Sequence, residues 1–295
     1  MKGSSAELLL YGATVISWKA GDSRDPLEPR ERLFLSSKAV LDGSKPIRGG
    51  IPVVFPCFGA PTHPEHNLLG QHGFARSETW AWGGIVMDND AGVSVRLSQG
   101  FSIALLSREL IPVNGSTALE PTPKIAAVYQ KLFRLEFVAT LSEHQLSTDL
   151  HVKNTSSEVL EFQALFHNYV RASAHEVLIR HLQNLEYFDK TDSSFQGLKT
   201  ETRAEVDVRR YTDSVYENAP QKYEITWPAG GLAVKSTRLK DVVVWNPQAD
   251  AGSKIGDMEE GGWEHFVCLE PGYVRGFVST QPGETWIGQQ VLETV

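Results

Sequence analysis

Residues 132–153 read L-F-R-L-E-F-V-A-T-L-S-E-H-Q-L-S-T-D-L-H-V-K. Phe133, Leu135 and Phe137 alternate with Arg134 and Glu136, so the two sets differ in polarity as the two faces of one strand do. The stretch 145–153 continues the same period of two. The alternation recurs over 92–98, 159–166, 177–185 and 242–245. Between these runs lie turn-forming clusters such as 88–90, 153–157 and 229–231. No segment carries a persuasive apolar stripe at helical spacing. Many short strands with few helices predict an all-β fold, a large antiparallel sandwich or barrel. No linker, charge block, low-complexity tract or internal repeat divides the 295 residues, so one domain is expected.

Composition narrows the partners. A hydrophobic fraction of 41% and a charged fraction of 22% are those of a soluble globular protein. The formal charge of −8 argues against nucleic acid or an anionic membrane surface as the main partner, but leaves room for a local basic pocket. Two cysteines, Cys57 and Cys268, cannot form a disulfide framework for a chain of this size and fit a reducing compartment. The apolar run near the N-terminus is too short for a signal peptide, and no segment approaches the ~20 apolar residues of a membrane helix. A cytoplasmic monomer is the default expectation, and the glycosylation sequons at Asn114 and Asn154 read as incidental.

The segment 47–79 lacks periodicity, and a long irregular stretch inside a compact fold tends to carry function. It contains R-G-G-I-P-V-V-F-P at 48–56 and Q-H-G-F-A-R at 71–76. Arginine offers a fixed fork of donors suited to oxyanions, glycine lets the backbone approach a ligand, and proline stiffens the loop. Arg48 and Arg76 are therefore candidates for holding an anionic small molecule. Cys57, His63, His66 and His72 also cluster here, but their spacing matches no common zinc pattern, so no metal is expected. Phosphate-binding glycine loops of the P-loop and dinucleotide types are missing, as is a G-x-S-x-G nucleophile elbow. That points to proton-transfer chemistry without a cofactor.

His167 follows the apolar run 162–166, where it could face a cleft as a general acid or base, or serve as a hydrogen-bonded core histidine. Glu270 stands in F-V-C-L-E-P-G, read as a strand that delivers a carboxylate against a proline-glycine turn. There it is either a base with a raised pKa or a strand-terminal surface glutamate. Asp213, read as an aspartate before a turn, is a weaker candidate. Trp80, Trp82, Trp245, Trp263 and Trp286 could stack on a sugar or fill the core.

Six motifs, taken in order, resemble the hexose-6-phosphate mutarotases, or glucose-6-phosphate 1-epimerases, of the aldose 1-epimerase superfamily. They are R-G-G-I-P-V-V-F-P-C-F-G at 48–59, G-Q-H-G-F-A-R at 70–76, L-F-H-N-Y at 165–169, D-S-V-Y at 213–216, V-W-N-P at 244–247 and V-C-L-E-P-G at 267–272. The resemblance implies a galactose-mutarotase-like β-sandwich and cofactor-free interconversion of the anomers of a hexose 6-phosphate. It also implies His167 as acid and Glu270 as base, with Arg48, Gln71 and Arg76 on the phosphate and His72 and Asp213 supporting the sugar ring. Gln248 and Asn168 depart from residues common in the family at those positions. A non-catalytic sugar-phosphate sensor and a mutarotase of unphosphorylated aldoses are the alternative readings.

Overall fold

The computed structural model describes residues 3–22, 28–98, 104–106, 121–228 and 230–295. Asn114 of the first sequon and Ala229 of the 229–231 turn lie outside them. Among the described residues the chain forms antiparallel sheets of nine, eight and four strands. The opening stretch becomes two neighbouring strands, Phe133–Leu141 and Gln145–Asn154, in the nine-stranded sheet. Burial follows their alternation residue by residue.

The nine- and eight-stranded sheets face each other across one apolar core. Phe133, Leu135, Phe137, Leu150 and Val152 pack in it with Phe162, Phe166, Val244 and Leu269. Aromatic contacts span the sheets, with Phe137 on Phe166 at 6.4 Å and Phe162 on Trp286 at 5.4 Å between ring centres. Face-to-face packing of two antiparallel sheets makes a β-sandwich. Asn154 of the second sequon is fully buried, and its amide donates to Glu158 and Thr280 carbonyls.

The outer face of the eight-stranded sheet is a second, smaller environment. On Phe266–Thr280, Leu269 enters the core, so Cys268 and Glu270 project to the other side. Pairing carries this face sideways: Asp213 lies opposite Trp245 and Trp245 opposite Cys268, while Val215, Val243 and Glu270 form the next row. The irregular segment 47–79 runs beside it. Val53–Val54 pairs with Leu165–Phe166, which makes R-G-G-I-P-V-V-F-P an edge strand next to the one that leads to His167.

Three local expectations are corrected. The strand expected over 177–185 stops after Leu178–Arg180, because His181 and Asn184 adopt φ of 72° and 67° and turn the chain; pairing resumes at Glu186–Asp189. Pro271 and Gly272 form no turn but lie inside the strand Phe266–Thr280, opposite Val242 and Asp241. Asp213 is likewise within a strand, Thr212–Tyr216.

Gly50 shows why the arginine is followed by glycines. Its φ is +66°, its N–H donates to the Phe34 carbonyl at 2.7 Å, and its carbonyl accepts from Tyr169 at 2.9 Å. A Cβ there would run into the Val15 carbonyl oxygen. Gly50→Ala is therefore expected to cost about 3 kcal/mol or more in a urea-unfolding experiment. A variant with the parent's midpoint would contradict this packing.

Candidate active site

Period-two geometry sends Glu270 out of the core, and the chain brings His167 beside it. His167 follows Leu160–Phe166, and its N–H donates to the Pro52 carbonyl at 3.0 Å. Its Nδ1 lies 3.3 Å from Glu270 Oε1. His167 Nδ1 and the other carboxyl oxygen, Glu270 Oε2, are buried and have no hydrogen-bond partner among the described residues. Both residues are buried, at 9% and 1% exposure, so the histidine was neither a satisfied core residue nor the glutamate a surface one.

Burial governs the protonation of both groups. It holds the His167 imidazole well below its ordinary 6.5, with His72, Arg76 and Arg48 adding to the effect. It lifts the Glu270 carboxyl well above 4.5, reinforced by Asp213 and opposed by Lys190 and Arg76. Both shifts favour the uncharged forms, a protonated carboxyl and a neutral imidazole. A carboxylate with an imidazolium carries the same number of protons and the same total charge. One proton passing between them interconverts the two forms.

A buried amide pair holds this arrangement from behind. Asn168 Nδ2 donates to the Leu269 carbonyl at 2.9 Å and to Gln290 Oε1 at 2.8 Å, while Gln290 Nε2 donates back to Asn168 Oδ1 at 2.8 Å. Asn168 adjoins His167, Leu269 adjoins Glu270, and Gln290 belongs to Thr285–Thr294 of the opposite sheet. The departure at Asn168 thus ties the backbone beside His167 and Glu270 to the far side of the core. The other departure, Gln248, bonds Asn246 and the Val208 carbonyl through its side chain.

The remaining candidates surround the pair. His72 lies with its ring 6.0 Å from that of His167 and adopts φ of 66°. Its Nδ1 accepts from the Gly59 N–H at 3.2 Å, which leaves the proton on Nε2; burial, aided by Arg76, Lys190 and Arg48, lowers its pKa to about 3. His72 is therefore a neutral donor. Arg76, on the single turn Ala75–Ser77, donates through Nη2 to the Gln71 carbonyl at 3.1 Å, and its Nε is buried without a partner. Gln71 side-chain nitrogen is 3.4 Å from His72 Nε2. Arg48 donates to Tyr169 Oη at 3.1 Å and to Asp257 at 3.0 Å. Asp213 binds Lys190 Nζ at 2.8 and 3.0 Å, and burial raises its pKa against that cation.

Several neighbours are not singled out by the sequence, and Trp245 is only one of five tryptophans it offers. Tyr169 stacks on His167 at 4.8 Å with planes 8° apart, and Trp245 meets His167 edge-on at 5.9 Å. Lys190 lies over the Phe58 ring at 5.2 Å, and Asp257 partners Arg48. Only Trp245 had a legible signal, since the alternation of 242–245 puts it on the face opposite buried Val242 and Val244. Trp80 and Trp286 belong to the core. Among the described residues Cys57, His63, His66 and His72 do not converge as metal ligands: His63 pairs with Glu161, and His66 with the Glu161 carbonyl.

Comparison with known proteins gives the family and the fold. Residues 1–103 and 116–293 match the model of the aldose 1-epimerase family. The chain belongs to that family and is an isomerase of the epimerase type. A Cenchrus ciliaris protein provisionally named a glucose-6-phosphate 1-epimerase is 30% identical over 302 residues, covering 98% of this chain and 81% of that one. An Escherichia coli K12 protein with the same provisional name is 27% identical over 271 residues, covering 91% and 79%. Among solved structures, one provisionally described as a mutarotase (YeaD) from Salmonella typhimurium superposes with a TM-score of 0.79 at 22% identity, covering 98% of this chain and 86% of its own. A galactose mutarotase related enzyme from Lactobacillus acidophilus gives 0.71 at 14%, covering 100% and 95%. The sandwich is the galactose-mutarotase-like fold.

Gln290→Leu would leave the buried Asn168 amide short of a donor and an acceptor. It is expected to cost about 1–3 kcal/mol of stability. Turnover should fall more than KM rises, because the pair behind the amide shifts. Unchanged stability and unchanged kcat would contradict the bracing role.

Proposed function

We propose that the protein interconverts the α and β anomers of hexose 6-phosphates, with Glu270 and His167 moving protons and Arg76 and Arg48 anchoring the phosphate. The observation that carries this reading is Arg76. Among the described residues no carboxylate lies within ion-pair distance of it, its Nε is buried without a partner, and burial pulls its pKa down. A half-buried cation whose Nε is buried without a partner and which has no counter-ion is costly, and a phosphate supplies one. An unphosphorylated aldose would leave that charge unmatched. A binding protein without catalysis would have no use for a dry acid–base pair. The names of the two relatives point the same way.

The reaction opens and recloses a ring. In the charged form of the pair, the Glu270 carboxylate takes the proton of the C1 hydroxyl while the His167 imidazolium gives one to the ring oxygen. The C1–O5 bond breaks and leaves an open-chain aldehyde. The pair is then a protonated carboxyl and a neutral imidazole, the form that burial favours. Rotation about C1–C2 turns the other carbonyl face toward O5. On closure His167 recovers the proton from the O5 hydroxyl, and Glu270 returns one to the C1 oxygen. Each group must act as acid in one direction and base in the other, and each contributes roughly 10²–10⁴. The phosphate takes no part in bond breaking; the arginines hold it so that the anomeric carbon meets the pair. His72 Nε2 and Asp213 serve ring hydroxyls.

Arg76→Ala should raise KM for hexose 6-phosphates about 10- to 100-fold, the worth of a hydrogen bond to a charged group, with a smaller change in kcat. An equal rise for the unphosphorylated hexose would remove the phosphate assignment. Glu270→Gln should lower kcat by at least ~10², followed by polarimetry. The folded state loses stability as pH rises through the raised Glu270 pKa, so this variant should gain melting temperature over the parent as pH increases. Near-normal turnover would exclude Glu270 as the base.

The pH profile of kcat/KM tests the pair as a unit. Activity needs one proton shared by the two groups. The acid limb, where His167 takes up a second proton, should lie below 6.5, and the alkaline limb, where Glu270 loses its proton, above 4.5. An acid limb at or above 6.5 would contradict the dry environment of His167.

A further inference from the structure

We propose that His167, Cys268 and Glu270 form a binding site for a zinc ion, and that occupying it switches the catalytic pair off. Cys268 and Glu270 stand two residues apart on Phe266–Thr280 and so share the outer face of the sheet. Register brings the third ligand in, because Tyr169, two residues after His167, pairs with Cys268. One ligand atom from each residue lies within 4.8 Å of the others, and all three side chains are buried. Two of these residues carry buried polar atoms without hydrogen-bond partners, His167 Nδ1 and Glu270 Oε2. Among the described residues no other cluster of histidine, cysteine and acidic groups converges in this way.

The donor set suits zinc. Imidazole nitrogen, thiolate sulfur and carboxylate oxygen are its three usual protein ligands, at about 2.0–2.3 Å, and three of them leave a fourth position for water. Tetrahedral bonds of that length separate ligand atoms by roughly 3.3–3.8 Å; His167 Nδ1 and Glu270 Oε1 are already 3.3 Å apart, and Cys268 Sγ must close by at most about an ångström. His167 is the most exposed of the three, at 9% against 0% for Cys268 and 1% for Glu270, so the ion enters past its ring. Coordination replaces the Sγ proton of Cys268 and any proton on Glu270, which leave to solvent. Because binding releases these protons, zinc affinity rises with pH.

Cys268 takes no part in the proton transfers of mutarotation, and this separates the site from the catalysis. The inhibitory half of the proposal rests on the catalytic reading of His167 and Glu270. The site itself does not. Zinc chloride added to the full chain should lower mutarotation at least tenfold, reversibly on adding EDTA. Cobalt(II) in place of zinc should give a thiolate-to-metal charge-transfer band. Cys268→Ser should keep its metal-free activity, lose the band and need about 10- to 100-fold more zinc for the same inhibition. Absence of the band in the parent protein, or equal zinc sensitivity in Cys268→Ser, would overturn the site. A band with undiminished mutarotation would leave the site standing and overturn the catalytic role of the pair. If the serine variant does not fold, the cobalt spectrum of the parent decides alone.

Discussion

An imidazole and a carboxyl 3.3 Å apart in a water-poor setting are the constraint around which the site is organised. Placing two ionisable groups there is costly unless they share a proton and remain jointly neutral. Burial is the leading cause of both shifts, down for His167 and up for Glu270, and each disfavours the charged form. A ring-opening reaction that must run equally well in both directions needs such a pair, because every transfer has to be undone on closure. The sandwich supplies rigidity: the apolar core lies behind the sheet, and the Asn168–Gln290 amides tie the backbone beside His167 and Glu270 to the opposite sheet.

Charge around the pair is divided between two arginines with different partners. Arg48 is already matched by Asp257 and Tyr169, whereas Arg76 has a backbone carbonyl for company. The asymmetry leaves one cation without a carboxylate partner in a chain with a net charge of −8, and in the proposed reading that cation distinguishes an anionic sugar from a neutral one. Glycine makes this possible. At Gly50 and Gly73 a Cβ would collide with the carbonyls of Val15 and Phe55, so the arginine-bearing loops pack closer to the sheet than other residues allow.

The sandwich was legible because alternation is a local signal: in Phe133–Leu141 every second residue is buried. His167, Glu270, Arg48, Gln71, His72, Arg76 and Asp213 were legible as residue types in motifs, and the structure gathers them on one side of the sheet. Their surroundings were harder to read. Tyr169, Lys190 and Asp257 reach the site through cross-strand register and loop return, with separations of up to 209 residues, as for Arg48 and Asp257. Pro271-Gly272 misled as a turn signal because register, not local preference, keeps the strand going through it. The run 177–185 misled in the opposite direction, since Val177, Ile179 and Leu182 all enter the core although the strand ends at Arg180 and the chain turns at His181 and Asn184.

The central claim joins anomer exchange at His167 and Glu270 to phosphate recognition at Arg76. Exchange NMR on glucose 6-phosphate beside glucose, with catalytic amounts of the protein, tests both halves together. The account predicts fast exchange between the α and β anomers of the phosphate ester and much slower exchange for glucose. Equal acceleration of both sugars, or of neither, would contradict it.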